Sequence, residues 1–111
     1  MPNTLETPAK CWLVYIIEAS DHSLYTGITK DMPRRWQQHS NGTGAKFFRG
    51  RKPLSLKFVE SDHTRSTASQ REAAIKKLGR QAKLKLINER VNERDSNFDL
   101  SLLLRALDAK P

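Results

Sequence analysis

Five side chains stand out for the chemistry their types and spacing would permit: Tyr15, Tyr25, Arg35, His39 and Glu72. Tyr15 closes the string Leu-Val-Tyr at 13–15, and Tyr25 opens Tyr-Thr-Gly at 25–27. A three-residue turn closed by residues 18 and 22 would set the two phenols opposite one another on one sheet face. A slip of one residue would part them. Strand tyrosines commonly just pack, but Gly27 beside Tyr25 marks a point of close backbone approach. Counting about 100° per residue, Met32, Arg35, Trp36 and His39 share one helical arc, and Arg34 points elsewhere. An arginine held against the protein body needs an anionic partner, either a ligand or a structural carboxylate. Glu72 lies about 60° round its helix from Ile75, at the rim of the packed side. It is an acid among Arg71, Lys76, Lys77, Arg80, Lys83 and Lys85. A lone carboxylate among bases is what a single hard cation needs alongside substrate phosphates; a solvated counter-charge is the competing reading.

Basic residues interleave with aromatics between 44 and 53. Lys46, Phe48, Arg49, Arg51 and Lys52, with Lys76 on a later helix, are candidate nucleic-acid contacts. The cations would hold phosphates and an exposed phenylalanine would stack on a base. The alternative places Phe47 or Phe48 in the core. His22, His39 and His63 have no zinc-like spacing, and neither a phosphate-cradling glycine loop nor a nucleophile elbow is present.

The elements that must position these groups follow from pattern. Residues 11–18 read as a buried strand, Leu-Tyr-Thr-Gly-Ile-Thr at 24–29 as its hairpin partner, and 54–61 as a third strand in which Leu54, Leu56 and Phe58 share one face. Asp31 caps a helix to Ser40, with Pro33 in its first turn and Asn41-Gly42 at its end. Thr64, Ser66 and Thr67 offer caps for a helix at 67–78, whose packed side is Ile75, Leu78 and the Arg71 stem. Gly79 breaks it, and an amphipathic piece follows at 80–90. The fold class is α/β, in the order β-β-α-β-α-α, with a three-stranded, mostly antiparallel sheet flanked by helices. Residues 1–10 read as a flexible leader, 11–87 as the domain, and 88–111 as a partly helical C-terminal extension carrying Leu100, Leu103, Leu104 and Leu107.

The chain has 111 residues, enough for one domain with a modest core. Twenty Lys and Arg against twelve Asp and Glu give a net charge of +8, which favours polyanionic partners. The single Cys11 excludes an internal disulfide or a cysteine zinc cluster. The first ten residues lack a basic-then-apolar signal pattern, and the run Cys-Trp-Leu-Val-Tyr-Ile-Ile falls far short of the ~20 residues that span a bilayer. A cytoplasmic protein without membrane contact is expected. So is a monomer, with a weak dimer through 88–111 as the alternative.

The ordered set Leu-Val-Tyr (13–15), Tyr-Thr-Gly (25–27), residues 28–42 with Arg35 and His39, and Arg-Glu-Ala-Ala-Ile-Lys-Lys-Leu (71–78) resembles the GIY-YIG nuclease superfamily. The spacing is most similar to its small stand-alone bacterial (YhbQ-like) branch, over about residues 11–87. Leu13 and Thr26 depart from the Gly and Ile of the two motifs, while both tyrosines and Gly27 are in place. The resemblance implies a metal-dependent endonuclease in which Glu72 ligates one Mg²⁺ or Mn²⁺. Tyr15 would deprotonate or orient the attacking water, and Tyr25 would position that water or the phosphate. Arg35 would neutralise charge on the phosphorane, and His39 would contact phosphate or relay a proton. A domain this small offers little area for sequence readout, so structure-dependent or weakly sequence-specific cutting is expected, with DNA preferred to RNA. A non-catalytic nucleic-acid-binding module on the same fold is the rival reading.

Overall fold

The computed structural model describes residues 10–93. Strand β1 runs Trp12–Ala19, β2 Leu24–Thr29 and β3 Pro53–His63; helices α1, α2 and α3 run Met32–Ser40, Arg65–Lys76 and Arg80–Glu93. A short 3₁₀ turn, Lys46–Phe48, interrupts the loop between α1 and β3. The sheet order is β2-β1-β3, antiparallel on both sides, so the expected α/β class and element order hold.

The central place of β1 explains its unbroken apolar run. A strand buried on both faces has no solvent side for polar residues to occupy. Tyr15, Ile17 and Ala19 face a cluster with Met32, Phe48, Leu56 and Val59. Val14 and Ile16 face the other way, against Phe58, Ala68, Ile75 and Ile87. Each of these fully buried aliphatic side chains contributes roughly 1.5–3 kcal/mol relative to exposure.

The pattern expected along β3 is broken. Ile16 pairs with Phe58 but Ile17 with Leu56, so two residues of β3 answer one step of β1. That irregularity sends Leu56 and Phe58 into opposite clusters despite their even spacing. Leu54, expected on the same inward face, is 54% exposed.

Helix starts follow their caps. The Asp31 side chain accepts from the Arg34 amide at 3.1 Å, fixing the first turn of α1 around Pro33. Thr64 and Thr67 form a reciprocal capping box, so α2 begins at Arg65 rather than at 67. It also ends earlier than expected, at Lys76, which leaves Leu78 exposed rather than packed. Helix α3 passes through the boundary drawn at 87/88 and continues to Glu93. The leucines at 100, 103, 104 and 107, and the leader at 1–9, lie outside the described residues. Among the described residues no helix is long and apolar enough to cross a membrane.

Candidate active site

The hairpin sets the first half of the site. Its turn has the expected three residues, but it sits one residue later in the chain. Ala19 and Ser23 close it, with the Ala19 amide donating to the Ser23 carbonyl at 2.8 Å. His22 takes a left-handed conformation, φ 69°, at the end of that turn. The register therefore moves by two: Tyr15 lies opposite Gly27, and Ile17 opposite Tyr25. A shift of two preserves the face, so the phenols remain neighbours on one side, diagonally placed, with ring centroids 6.2 Å apart.

Gly27 is required by that geometry. A Cβ at this position would stand 2.5 Å from the Tyr15 Oη, 2.7 Å from its Cζ and 3.0 Å from the Tyr25 ring. The Tyr15 ring thus leans into the space a side chain on β2 would fill.

Helix α1 supplies the second half. Met32 and His39 are buried, Trp36 is partly buried, and Arg35 is half-buried beside them, as the arc count required. His39 Nε2 lies 2.8 Å from Tyr15 Oη. Its Nδ1 is buried without a partner. Burial and the Arg35 charge push His39 down to about 4, so the ring is neutral near pH 7. Burial drives the Tyr15 phenol well above its ordinary value; Arg35 opposes the rise, and Tyr25 and Glu72 add to it.

These facts bear on two expectations. Tyr15 is 0% exposed and burial favours its protonated form, so activation of water at its hydroxyl would require a bound cation and Arg35 to favour the phenolate. Tyr25, partly exposed on the same face, is the phenol that reaches the surface. His39 is 0% exposed, so direct contact with a substrate phosphate is closed to it.

Arg35 carries the most informative electrostatics. Its Nη1 donates to the neutral Gln38 Oε1 at 2.9 Å, and its Nε is buried with no hydrogen-bond partner. Among the described residues no carboxylate pairs with it. The structural salt bridge that competed with a ligand role is therefore not found among them. Glu72, half-buried on α2, is close enough for its charge to act on Tyr15. Its Oε2 lies 3.2 Å from Lys76 Nζ one turn along. Among the described residues no group of three His, Cys, Asp or Glu side chains could hold a metal ion. Glu72 offers a carboxylate oxygen, the kind of donor a hard cation completed by water and phosphate oxygens would take.

The loop residues divide. Phe48, expected to stack on a base, is 1% exposed. The 3₁₀ turn folds it inward against His39, with ring centroids 4.3 Å apart, and against Tyr25 at 5.2 Å. Lys46 and Arg49 are exposed and available to phosphates. Arg51 already has structural partners: its Nε donates to Asp21 Oδ2 at 2.7 Å, its Nη1 to the Phe47 carbonyl at 3.1 Å, and its guanidinium lies over the Phe47 ring. Lys52 Nζ donates to the Ser40 carbonyl at 2.8 Å, and Lys76 pairs with Glu72.

Two supporting residues were not singled out in the sequence. Gly44 lies so near His39 that a Cβ there would stand 2.5 Å from Nδ1. Gln38 follows Arg35 by three residues, a spacing at which helical side chains meet.

Comparison with known proteins bears on the same stretch of chain. Residues 11–85 match the family model described as the GIY-YIG catalytic domain. A UPF0213 protein of Staphylococcus saprophyticus is 47% identical over 76 residues, covering 68% of this chain and 93% of that relative. A UPF0213 protein of Haloquadratum walsbyi is 50% identical over 76 residues, covering 68% and 85%. The solution NMR structure of a UPF0213 protein from Bacillus halodurans aligns at 38% identity and a TM-score of 0.47, over 71% of this chain and 84% of that one. The matched stretch holds both tyrosines, Gly27, Arg35, His39 and Glu72, and on that span the chain belongs to the GIY-YIG family.

Proposed function

We propose that this protein is an endonuclease that hydrolyses phosphodiester bonds in nucleic acid, DNA in preference to RNA, using one divalent cation. The observation that carries the reading is Arg35: a half-buried guanidinium with a buried, unpartnered Nε and a neutral amide in place of a counter-charge. Holding such a charge against the protein body is costly unless an anion arrives to meet it. A scissile phosphate supplies that anion, and a planar guanidinium suits its oxygens.

Mg²⁺ or Mn²⁺ held by Glu72 would supply Lewis-acid stabilisation of the leaving oxygen. Lys76, whose ammonium lies 3.2 Å from that carboxylate, would have to leave its ion pair for a cation to be held there. Arg35 neutralises charge that builds on the phosphoryl oxygens. Tyr25 orients the attacking water from the surface side of the pair. Tyr15 stays buried, and His39 Nε2 holds its oxygen at 2.8 Å. His39 is in this account a positioning residue, and Gly27 and Gly44 leave the room that both rings occupy. Lys46 and Arg49 hold flanking phosphates, and so small a surface favours substrate shape over sequence.

The test is cleavage of labelled single-stranded, duplex and branched DNA and RNA with Mg²⁺ or Mn²⁺, for wild type and Glu72→Gln, with a chelator control. Metal-dependent cutting that disappears in the variant while binding persists is the expected result. Binding without cutting on every substrate would leave the non-catalytic module as the correct reading. Equal cutting by both proteins would remove Glu72 from the site.

A further inference from the structure

The end of the sheet at which β1 begins carries a group of residues with no part in the proposed reaction. Trp12 is half-buried, one side packed on the cluster of Val14, Ile16 and Phe58. Lys30, just past β2, has its Nζ 5.8 Å from the centroid of that ring, and Arg65, the first residue of α2, has its Cζ at 5.6 Å. Both cations lie over the ring at distances near the outer limit of a cation–π contact, about 6 Å, and so hold it loosely. Both cations are exposed, and among the described residues neither has a carboxylate partner.

Glu60, three residues before the His63 that pairs with Trp12, is already engaged. Glu60 accepts from Arg71 Nε at 3.0 Å and Nη2 at 3.2 Å, and lies 2.8 Å from His63 Nε2. Those partners hold its carboxyl below the usual range against the cost of burial. His63 pairs across the sheet with Trp12 and reaches Thr67 Oγ1 at 2.9 Å, which ties the platform to the capping box of α2. The result is a braced aromatic surface between two uncompensated cations. Arg65 precedes Glu72 by seven residues on one helix, about 10 Å along its axis.

We propose that Trp12, Lys30 and Arg65 form a second contact for single-stranded nucleic acid. An unpaired base stacks on Trp12 while Lys30 and Arg65 take the phosphates on either side. An indole can stack only on a base free of its own neighbours, which selects an unpaired strand over an intact duplex. The distance to Glu72 places that base a few nucleotides from the cut. This deepens the nuclease reading and rests on its nucleic-acid binding, though not on its chemistry.

The experiment uses the full chain with Trp36→Phe, which leaves Trp12 as the lone tryptophan. Oligodeoxythymidylate is titrated while Trp12 emission is followed, and binding is measured separately by anisotropy of a labelled oligomer. With chelator present so that no strand is cut, saturable quenching is expected, and it should be weak or absent with blunt duplex. Trp12→Ala should lower affinity about tenfold, within the range for loss of one stacked base. Because that change also touches the core, the paired surface variant Lys30→Ala with Arg65→Ala gives a second readout. It should lower the slope of log affinity on log salt by about 1.4 on single strands. Oligomer bound without quenching, equal quenching by duplex, or an unchanged slope would each overturn the proposal and leave the nuclease reading standing. A protein that neither binds nor cuts any nucleic acid would remove both.

Discussion

Replacing Gly27 by Ala tests whether the site is as tightly built as it looks. The added methyl would stand 2.5 Å from Tyr15 Oη and 2.7 Å from Cζ, inside the distance real Cβ atoms tolerate. Tyr15 cannot yield cheaply, because its ring is fully buried and its oxygen is bonded to His39. Overpacking of this kind costs roughly 1–3 kcal/mol, and losing a buried hydrogen bond adds about 1 kcal/mol. Against this, removing glycine from a strand returns about 0.5–1 kcal/mol. The steric effect wins, for a net loss of about 2 kcal/mol. With a urea dependence of ~1 kcal/mol per molar for so small a chain, the unfolding midpoint should fall by about 2 M. Gly50→Ala is the control, since a Cβ there meets nothing within 4 Å, and its midpoint should stay put or rise. Tyr15→Phe removes the Oη contact but keeps the one at Cζ, so the double variant should recover part of the Gly27→Ala loss. An unchanged midpoint for Gly27→Ala, or strict additivity in the double variant, would refute the reasoning.

Three further outcomes are expected. His39 binds its proton near pH 4 in the folded chain and near 6.5 when unfolded, so the unfolded state holds more protons between those values. Stability should therefore fall as pH drops from about 6.5 toward 4, by up to about 3 kcal/mol, and His39→Asn should flatten that part of a urea-midpoint profile. Arg35→Lys keeps the charge but loses the planar fork; single-turnover cleavage should slow about 100-fold with affinity little changed. Lys46→Ala with Arg49→Ala should lower the salt slope on duplex by about 1.8, measured by anisotropy, whereas Arg51→Ala should leave the slope and cost about 1 kcal/mol of stability.

Much of the architecture could be read in advance because hydrophobic period and caps act locally. Asp31 with Pro33, and Thr64 with Thr67, mark helix starts through hydrogen bonds that span three residues. The face shared by Tyr15 and Tyr25 survived an error in register because parity, not position, decides the face. Long-range geometry was harder. Whether residue 18 or 19 opens the turn depends on His22 adopting a left-handed conformation, which its type does not announce. The β3 irregularity that separates Leu56 from Phe58 arises only on pairing with β1. Phe48 sits in a loop rich in glycine and bases that reads as exposed, yet one 3₁₀ turn folds it against His39. The Tyr15–His39 hydrogen bond joins residues 24 apart, and no local pattern encodes it.

The central position of β1 has a further consequence, in the order in which the protein opens. Its backbone is paired on both edges and covered on both faces, so its amides should exchange with solvent only when the whole domain unfolds. Strands β2 and β3 both lie at sheet edges, each paired on one side, and β2 is the shorter, 6 residues against 11. Partial openings reach it first, carrying Tyr25 and Gly27 away from Tyr15 while β1 and β3 remain joined. The two tyrosines thus sit on strands of different exchange classes, and the site can open at β2 while β1 and β3 stay joined.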